Sequence, residues 1–241
     1  MIHEALEYLV GLGAREPHRE AIGGLEYTDR ELKRITPPRA SALKFARLQG
    51  FVDHIKLVPD EKERVAGPTM IHVESPTKVS FVTALDSAYR DREVIAVAEY
   101  GLATFAFREF MMPENFVIAV MTSIADASDR ARLLQIVGNI SSDLVSTSAD
   151  DGITQTVAVK TGVTLVNKKT VENPFNLQVH RTFAEVAQPE APYILRVRQS
   201  GPGAPPTVAL FEADNGAWAI DAIAKIAEWL ELKVGDVPVL A

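Results

Sequence analysis

Residues 133–189 read LLQIVGNISSDLVSTSADDGITQTVAVKTGVTLVNKKTVENPFNLQVHRTFAEVAQP. The stretch opens as a helix and closes as strands. Leu133, Leu134, Ile136, Val137 and Ile140 recur at helical spacing and give a wide apolar face. Asp150-Asp151-Gly152 is a turn signal, because Asp bonds its own backbone and Gly accepts a positive φ. Beyond it, residues 154–161 alternate apolar and polar with a period of two. Gly162 marks a bulge or bend, and residues 164–167 continue the strand. Asn173-Pro174 is a second turn. Leu177, Val179, Arg181 and Phe183 then share one side of the next strand, with Gln178, His180 and Thr182 opposite. Helix followed by strands with short connections is the pattern of an α+β fold.

Upstream, Pro113 suits a first helical turn, where its missing N–H costs nothing. Phe116, Val117, Val120, Met121 and Ile124 form the apolar face of a helix over 113–125. Ser128 or Asp129 caps a second helix that runs to Leu144. Before these, Met70, His72 and Glu74 alternate with Ile71 and Val73. Val79, Phe81, Thr83 and Leu85 share a face of the next strand, and Val94–Tyr100 forms a third. The short connections between them exclude parallel returns, so they read as an antiparallel meander. Leu48, Phe51, Val52 and Ile55 predict a helix over 48–57 that Pro59 ends. A helix over 3–12 carries Leu6, Leu9 and Val10. Residues 15–39, with Gly23-Gly24 and Pro37-Pro38, read as an extended arm or long connection.

Downstream, Tyr193–Arg198 is a strand, Gly201–Pro206 an exposed hairpin tip, and TVALFEA its partner. Ile220, Ile223, Ala224, Ala227 and Leu230 give the apolar face of a final helix. Trp218 and Trp229 read as core or subunit-contact residues. The VPVL tail adds an extended contact. The expected fold is α+β, a mainly antiparallel sheet with two central bridging helices and a C-terminal helix. Residues 1–40 form a helix and arm, and 41–241 the α+β domain. Its β sections, 66–112 and 150–213, either pair into one sheet or form two subdomains bridged by helices 113–144.

A chain of 241 residues with 47% hydrophobic content is long enough to bury a large core. The formal net charge of -7 argues against broad non-specific nucleic-acid binding, which rests on many phosphate contacts, but leaves room for a local basic face. There is no cysteine, which excludes disulfides, cysteine nucleophiles and cysteine-ligated metal centres. No apolar run reaches the roughly 20 residues a membrane span needs, and the N-terminus lacks a basic-then-apolar leader pattern. A cytoplasmic protein with no membrane association and no cofactor is expected.

The five histidines form no H-E-x-x-H pattern, and nucleotide-binding and hydrolase-elbow glycine motifs are absent from the sequence. Asp143, Asp150 and Asp151 are the acids that could hold a divalent cation for phosphoryl chemistry, although Asp150-Asp151-Gly152 reads first as a turn. Asp126 and Asp129 read as helix caps. The candidate basic surface consists of Lys160, Lys168, Lys169, Arg181, Arg196 and Arg198. Arg196 and Arg198 have the same parity on one strand, and Tyr193 has the opposite parity and packs inward.

The segments LKRITPP, LQGFVDHIK, EFMMPENF, LLQIVGNISSDL, DDGITQTV and ENPFNLQVHRTFAEVAQPEAPYILRVR appear in this order. In that order they resemble the phage and prophage family of unknown function typified by YfdQ (the DUF2303 family), over about residues 32–230. The resemblance implies a tailed-phage or prophage origin and a non-secreted accessory protein. It carries no catalytic residue over to this chain, and it places Glu114 and Phe116 in a structural role. The leading expectation is a non-enzymatic accessory protein that binds a host or phage macromolecule, with homo-oligomerisation open. Three alternatives remain: a single-stranded nucleic-acid-binding factor for recombination or replication, a metal-dependent phosphoryl-transfer enzyme, and a structural virion protein.

Overall fold

The computed structural model describes residues 2–13, 19–22, 25–28, 40–57, 68–85, 91–126, 129–140, 155–161, 165–199 and 204–241; at 12, 19–22, 25–28, 155–161 and 165–170 the backbone alone is described. The chain divides into two compact units, Met1–Arg39 and Ala40–Ala241.

The first unit holds α1 (Ile2–Gly13) and two strands, β1 (Arg19–Ile22) and β2 (Leu25–Thr28). The strands pair antiparallel, with Ile22 opposite Leu25. The stretch read as an extended arm therefore contains a hairpin. Gly-Gly between two short runs was the signal for it.

The second unit begins with β3 (Leu43–Phe45), α2 (Leu48–Leu57), β4 (Thr69–Ser75), β5 (Lys78–Thr83) and β6 (Val94–Glu99). Then come α3 (Pro113–Ser123), α4 (Arg130–Gly138), β7 (Gln155–Thr161), β8 (Leu165–Val171) and β9 (Phe175–Gln178). Next are β10 (Glu190–Gln199), β11 (Pro206–Glu212), α5 (Ala217–Val234) and β12 (Val239–Leu240). The fold is α+β.

The two β sections form separate sheets. β4, β5 and β6 make the antiparallel meander that their short connections require. Two short strands close its edges in parallel, β3 beside β6 and β12 beside β4, giving the order β12-β4-β5-β6-β3. The second sheet is antiparallel, in the order β11-β10-β9. β7 and β8 pair as a hairpin, with Thr161 opposite Leu165. One continuous strand through Gly162 was expected there. A Gly-containing connection of three residues between alternating runs favours a hairpin instead.

Each sheet buries one face under helices. Leu48, Phe51 and Val52 of α2 and Ile226 and Leu230 of α5 cover Ile71, Val79, Ala96 and Ala98 of the meander. Phe116, Val120 and Ile124 of α3 and Leu133, Ile136 and Val137 of α4 cover Phe175, Leu177, Tyr193, Leu195, Val208 and Leu210.

Three details differ from the sequence reading. Met121 is 58% exposed, because the i, i+4 row of Phe116, Val120 and Ile124 already fills the core side of α3. α4 ends at Gly138, well before Leu144, and residues 141–144 lie outside the described ones. On α5 the buried row is Ala222, Ile226, Leu230 and Val234, while Ile220 is exposed. That helix is apolar on several sides, so two stripes fit its periodicity and packing selects one. Asp214 starts it, accepting N–H bonds from Gly216 (3.2 Å) and Trp218 (2.9 Å). Gly216 sits at φ 83°, where a side chain would be strained.

The two cores exchange chain between β9 and β10. Leu177 and Val179 belong to the core under α3, whereas Phe183 and Val186 belong to the core under α2 and α5. Gln188 holds the crossing segment. Its side-chain oxygen accepts the N–H groups of Arg181 (3.1 Å) and Thr182 (3.3 Å), and its amide donates to the Phe183 carbonyl (3.1 Å). Thr182 Oγ1 donates to the Pro76 carbonyl, and Glu185 accepts from Arg47 Nε and the Gln49 N–H, both at 3.3 Å. Phe183, 1% exposed, anchors this crossing in the second core. Phe183→Ala is expected to destabilise the protein by about 3–5 kcal/mol, measured as a shift of the urea unfolding midpoint.

Candidate functional site

β10 separates its residues cleanly by parity. Tyr193, Leu195 and Val197 are buried on the core side, while Ile194 and Arg196 are half-buried and Arg198 exposed on the outer side. Across the sheet Ile194 pairs with Phe211, Arg196 with Ala209 and Arg198 with Thr207. This outer face therefore carries two arginines, Ile194, Thr207, the fully buried Ala209 and one aromatic, Phe211.

A further segment lines the free edge of β11. Arg108 donates its N–H to the Leu210 carbonyl (2.9 Å), and Met111 exchanges both backbone bonds with Val208 (2.9 and 2.8 Å). Three residues thus step past two on β11, as in a bulge, and Arg108 takes φ 65°. The two aromatics of this segment part company. Phe107 stacks on buried Tyr193, centroids 5.3 Å apart, whereas Phe110 meets Phe211 edge-on at 6.1 Å. The Arg198 guanidinium lies 5.6 Å from the Phe110 ring centroid. Phe110 is 38% exposed, and Arg108 is exposed beside it. Sequence reading did not single out Arg108 or Phe110. Their place on the β11 edge depends on backbone bonds to a strand about a hundred residues away, which no local pattern encodes.

The candidate basic residues have different fates. Arg196 and Arg198 share the outer face, as their parity required. Lys160, Lys168 and Lys169 lie on the β7–β8 hairpin, where Lys168 pairs with Ala158 and Lys169 with Val157. By register Lys160 and Lys168 have one parity and Lys169 the other, and β7 runs beside β10.

Arg181 is not on any surface. It is 5% exposed, its Nη1 donates to Glu212 Oε1 at 2.6 Å, and its guanidinium lies 3.6 Å from the Trp218 ring centroid. It is withdrawn from the binding surface: β9 ends at Gln178, short of the strand expected through Phe183, and in the crossing segment Arg181, Thr182 and Phe183 are all buried. Burial pushes the neighbouring Tyr193 phenol well above its ordinary range. Asp143, Asp150 and Asp151 lie outside the described residues. Among the described residues no three His, Asp or Glu side chains gather in a way that could hold a metal ion. Asp129 occupies the N-cap position of α4, but its carboxylate accepts from Arg132 Nε (3.1 Å) and from the Asn176 N–H (2.8 Å), tying the helix to β9.

One Ser-His-Glu grouping occurs on the meander. His72 lies opposite Ser80 across β4 and β5. Ser80 Oγ, however, donates to Glu74 Oε1 (2.5 Å), and Lys78 Nζ donates to Glu74 Oε2 (2.7 Å). The serine proton goes to a carboxylate and not to the imidazole, so the group is a charge-assisted hydrogen-bond cluster and not a nucleophile with its base.

The bonds from Lys78 and Ser80 hold the Glu74 carboxyl below its ordinary range. A lowered folded-state pKa adds stability above the unfolded carboxylate pKa and loses it as pH falls through the folded one. Glu74→Gln should therefore weaken the protein at neutral pH and make little difference near pH 3, as read by chemical denaturation at both pH values. At the buried pair, Glu212→Gln should cost about 3 kcal/mol by leaving Arg181 charged without its counter-ion. The double change Arg181→Met with Glu212→Gln should recover much of that loss in thermal unfolding. No family model, no curated protein and no solved structure matches this chain.

Proposed function

We propose that this chain is a non-enzymatic phage or prophage accessory protein that binds an anionic macromolecule of phage or host through the β7–β8 and β10–β11 hairpins. One observation carries the reading. Residues 155–171 and 191–211 together hold five basic residues and no acidic one, in a chain of net charge -7. Two of the five, Arg196 and Arg198, stand on the outer face of β10, and β7 runs beside that strand. Charge of one sign gathered in a small area raises the local potential and speeds encounter with a partner of opposite sign.

The resemblance to the YfdQ-typified family over about residues 32–230 supports the phage setting and, with it, the host cytoplasm. Among the described residues no helix is long and apolar enough to cross a membrane.

The test is capture of partners from phage-infected cells by the tagged full chain and by an Arg196→Glu, Arg198→Glu variant of equal melting temperature. A partner retained by the first and lost by the second is expected, with capture weakening as salt rises. Equal capture by both proteins would remove the binding role from this face.

A further inference from the structure

Resting on that reading, we infer that the anionic partner is a single-stranded nucleic acid, and that Phe110 with Arg198 forms the platform on which a base stacks. An acidic protein surface needs cations opposite it and can pack against a ring among them. Single-stranded nucleic acid needs both: cations along the phosphates, and flat rings for bases that no longer stack in a duplex.

The outer face offers that pair of features together. Phe110 keeps 38% of its surface exposed although Phe211 props it edge-on at 6.1 Å. The Arg198 guanidinium, 5.6 Å from the ring centroid, adds a second planar group and a positive charge. Arg108 is two residues from Phe110 on the edge segment, and Arg196 is two residues from Arg198 on the same side of β10. Phe110 is fixed by the backbone bonds of Met111 to Val208, so the ring needs little ordering on binding. Glu109 is the one carboxylate of the segment 107–112 and works against a phosphate there.

Three arginines reaching phosphates predict weak, salt-sensitive binding, with log K falling with log salt at a slope of about -2. Fluorescence anisotropy of a labelled oligothymidylate of about 16 nucleotides with the full chain at low salt reads this directly. Phe110→Ala and Phe110→Leu should each weaken binding by about five-fold or more and leave the salt slope unchanged. Arg198→Ala should also make the slope shallower by about 0.7. Glu109→Gln should tighten binding. Unchanged melting temperatures show that these surface variants fold.

No binding at low salt overturns the inference, as does binding that neither Phe110 variant alters. Polyglutamate bound as tightly as the oligonucleotide, with the same loss in the Phe110 variants, assigns the face to acidic proteins and overturns it too. In each case the broader reading survives if a captured partner is still lost on reversing Arg196 and Arg198, and it fails separately if capture is unchanged.

Discussion

A guanidinium held inside an apolar interior must be neutralised where it sits, because taking a charge out of water costs several kcal/mol. Arg181 meets this requirement with Glu212 at 2.6 Å, and its flat faces rest among Trp218, Phe107 and Tyr193. These partners come from four parts of the chain: the edge segment beside β11, the strands β10 and β11, and the first turn of α5. Arg181 itself stands at the crossing from one core to the other. Trp218 packs against the core under α3, while Ile226 and Leu230, farther along the same helix, fill the core under α2. One ion pair therefore joins the two segments that pass between the cores. The Gln188 side chain fixes the loop around it through backbone bonds that do not depend on sequence at the bonded positions.

Much of this was legible one strand at a time. Tyr193 inward with Arg196 and Arg198 outward follows from parity, whereas Arg181, expected on the basic surface, is buried in the irregular segment after β9. What the sequence hid was the counter-ion, since Glu212 lies 31 residues away and looks like an ordinary strand-end carboxylate. The same limit governs β3 and β12. A strand of three or two residues has no period to read, and both are strands only because a parallel neighbour offers its edge. The stripe expected on α5 held at Ile223, Ala227 and Leu230 and missed at Ile220, which is exposed while Ile226 is buried. The two are equally apolar, and only the position of the sheet separates them.

The charge segregation needed no structure at all. Residues 155–171 and 191–211, two of the long runs free of acidic residues in this acidic chain, belong to neighbouring hairpins. The fold adds that Arg196 and Arg198 share a face. It also adds the aromatic residue that turns a patch of charge into a surface with a preferred chemistry.

The crossing between β9 and β10 has a consequence for how such a protein can change over generations. Phe183 is encoded between two strands of one sheet and completes the core of the other, and the last strand of the meander comes from residues 239–240. Neither sheet with its helices is a transferable module. A recombination event that exchanged residues 40–100 alone would import a meander without its β12 edge, without the α5 helix that covers it, and without Phe183. A junction placed between residues 100 and 183 therefore separates the meander from residues that complete its core and its edge.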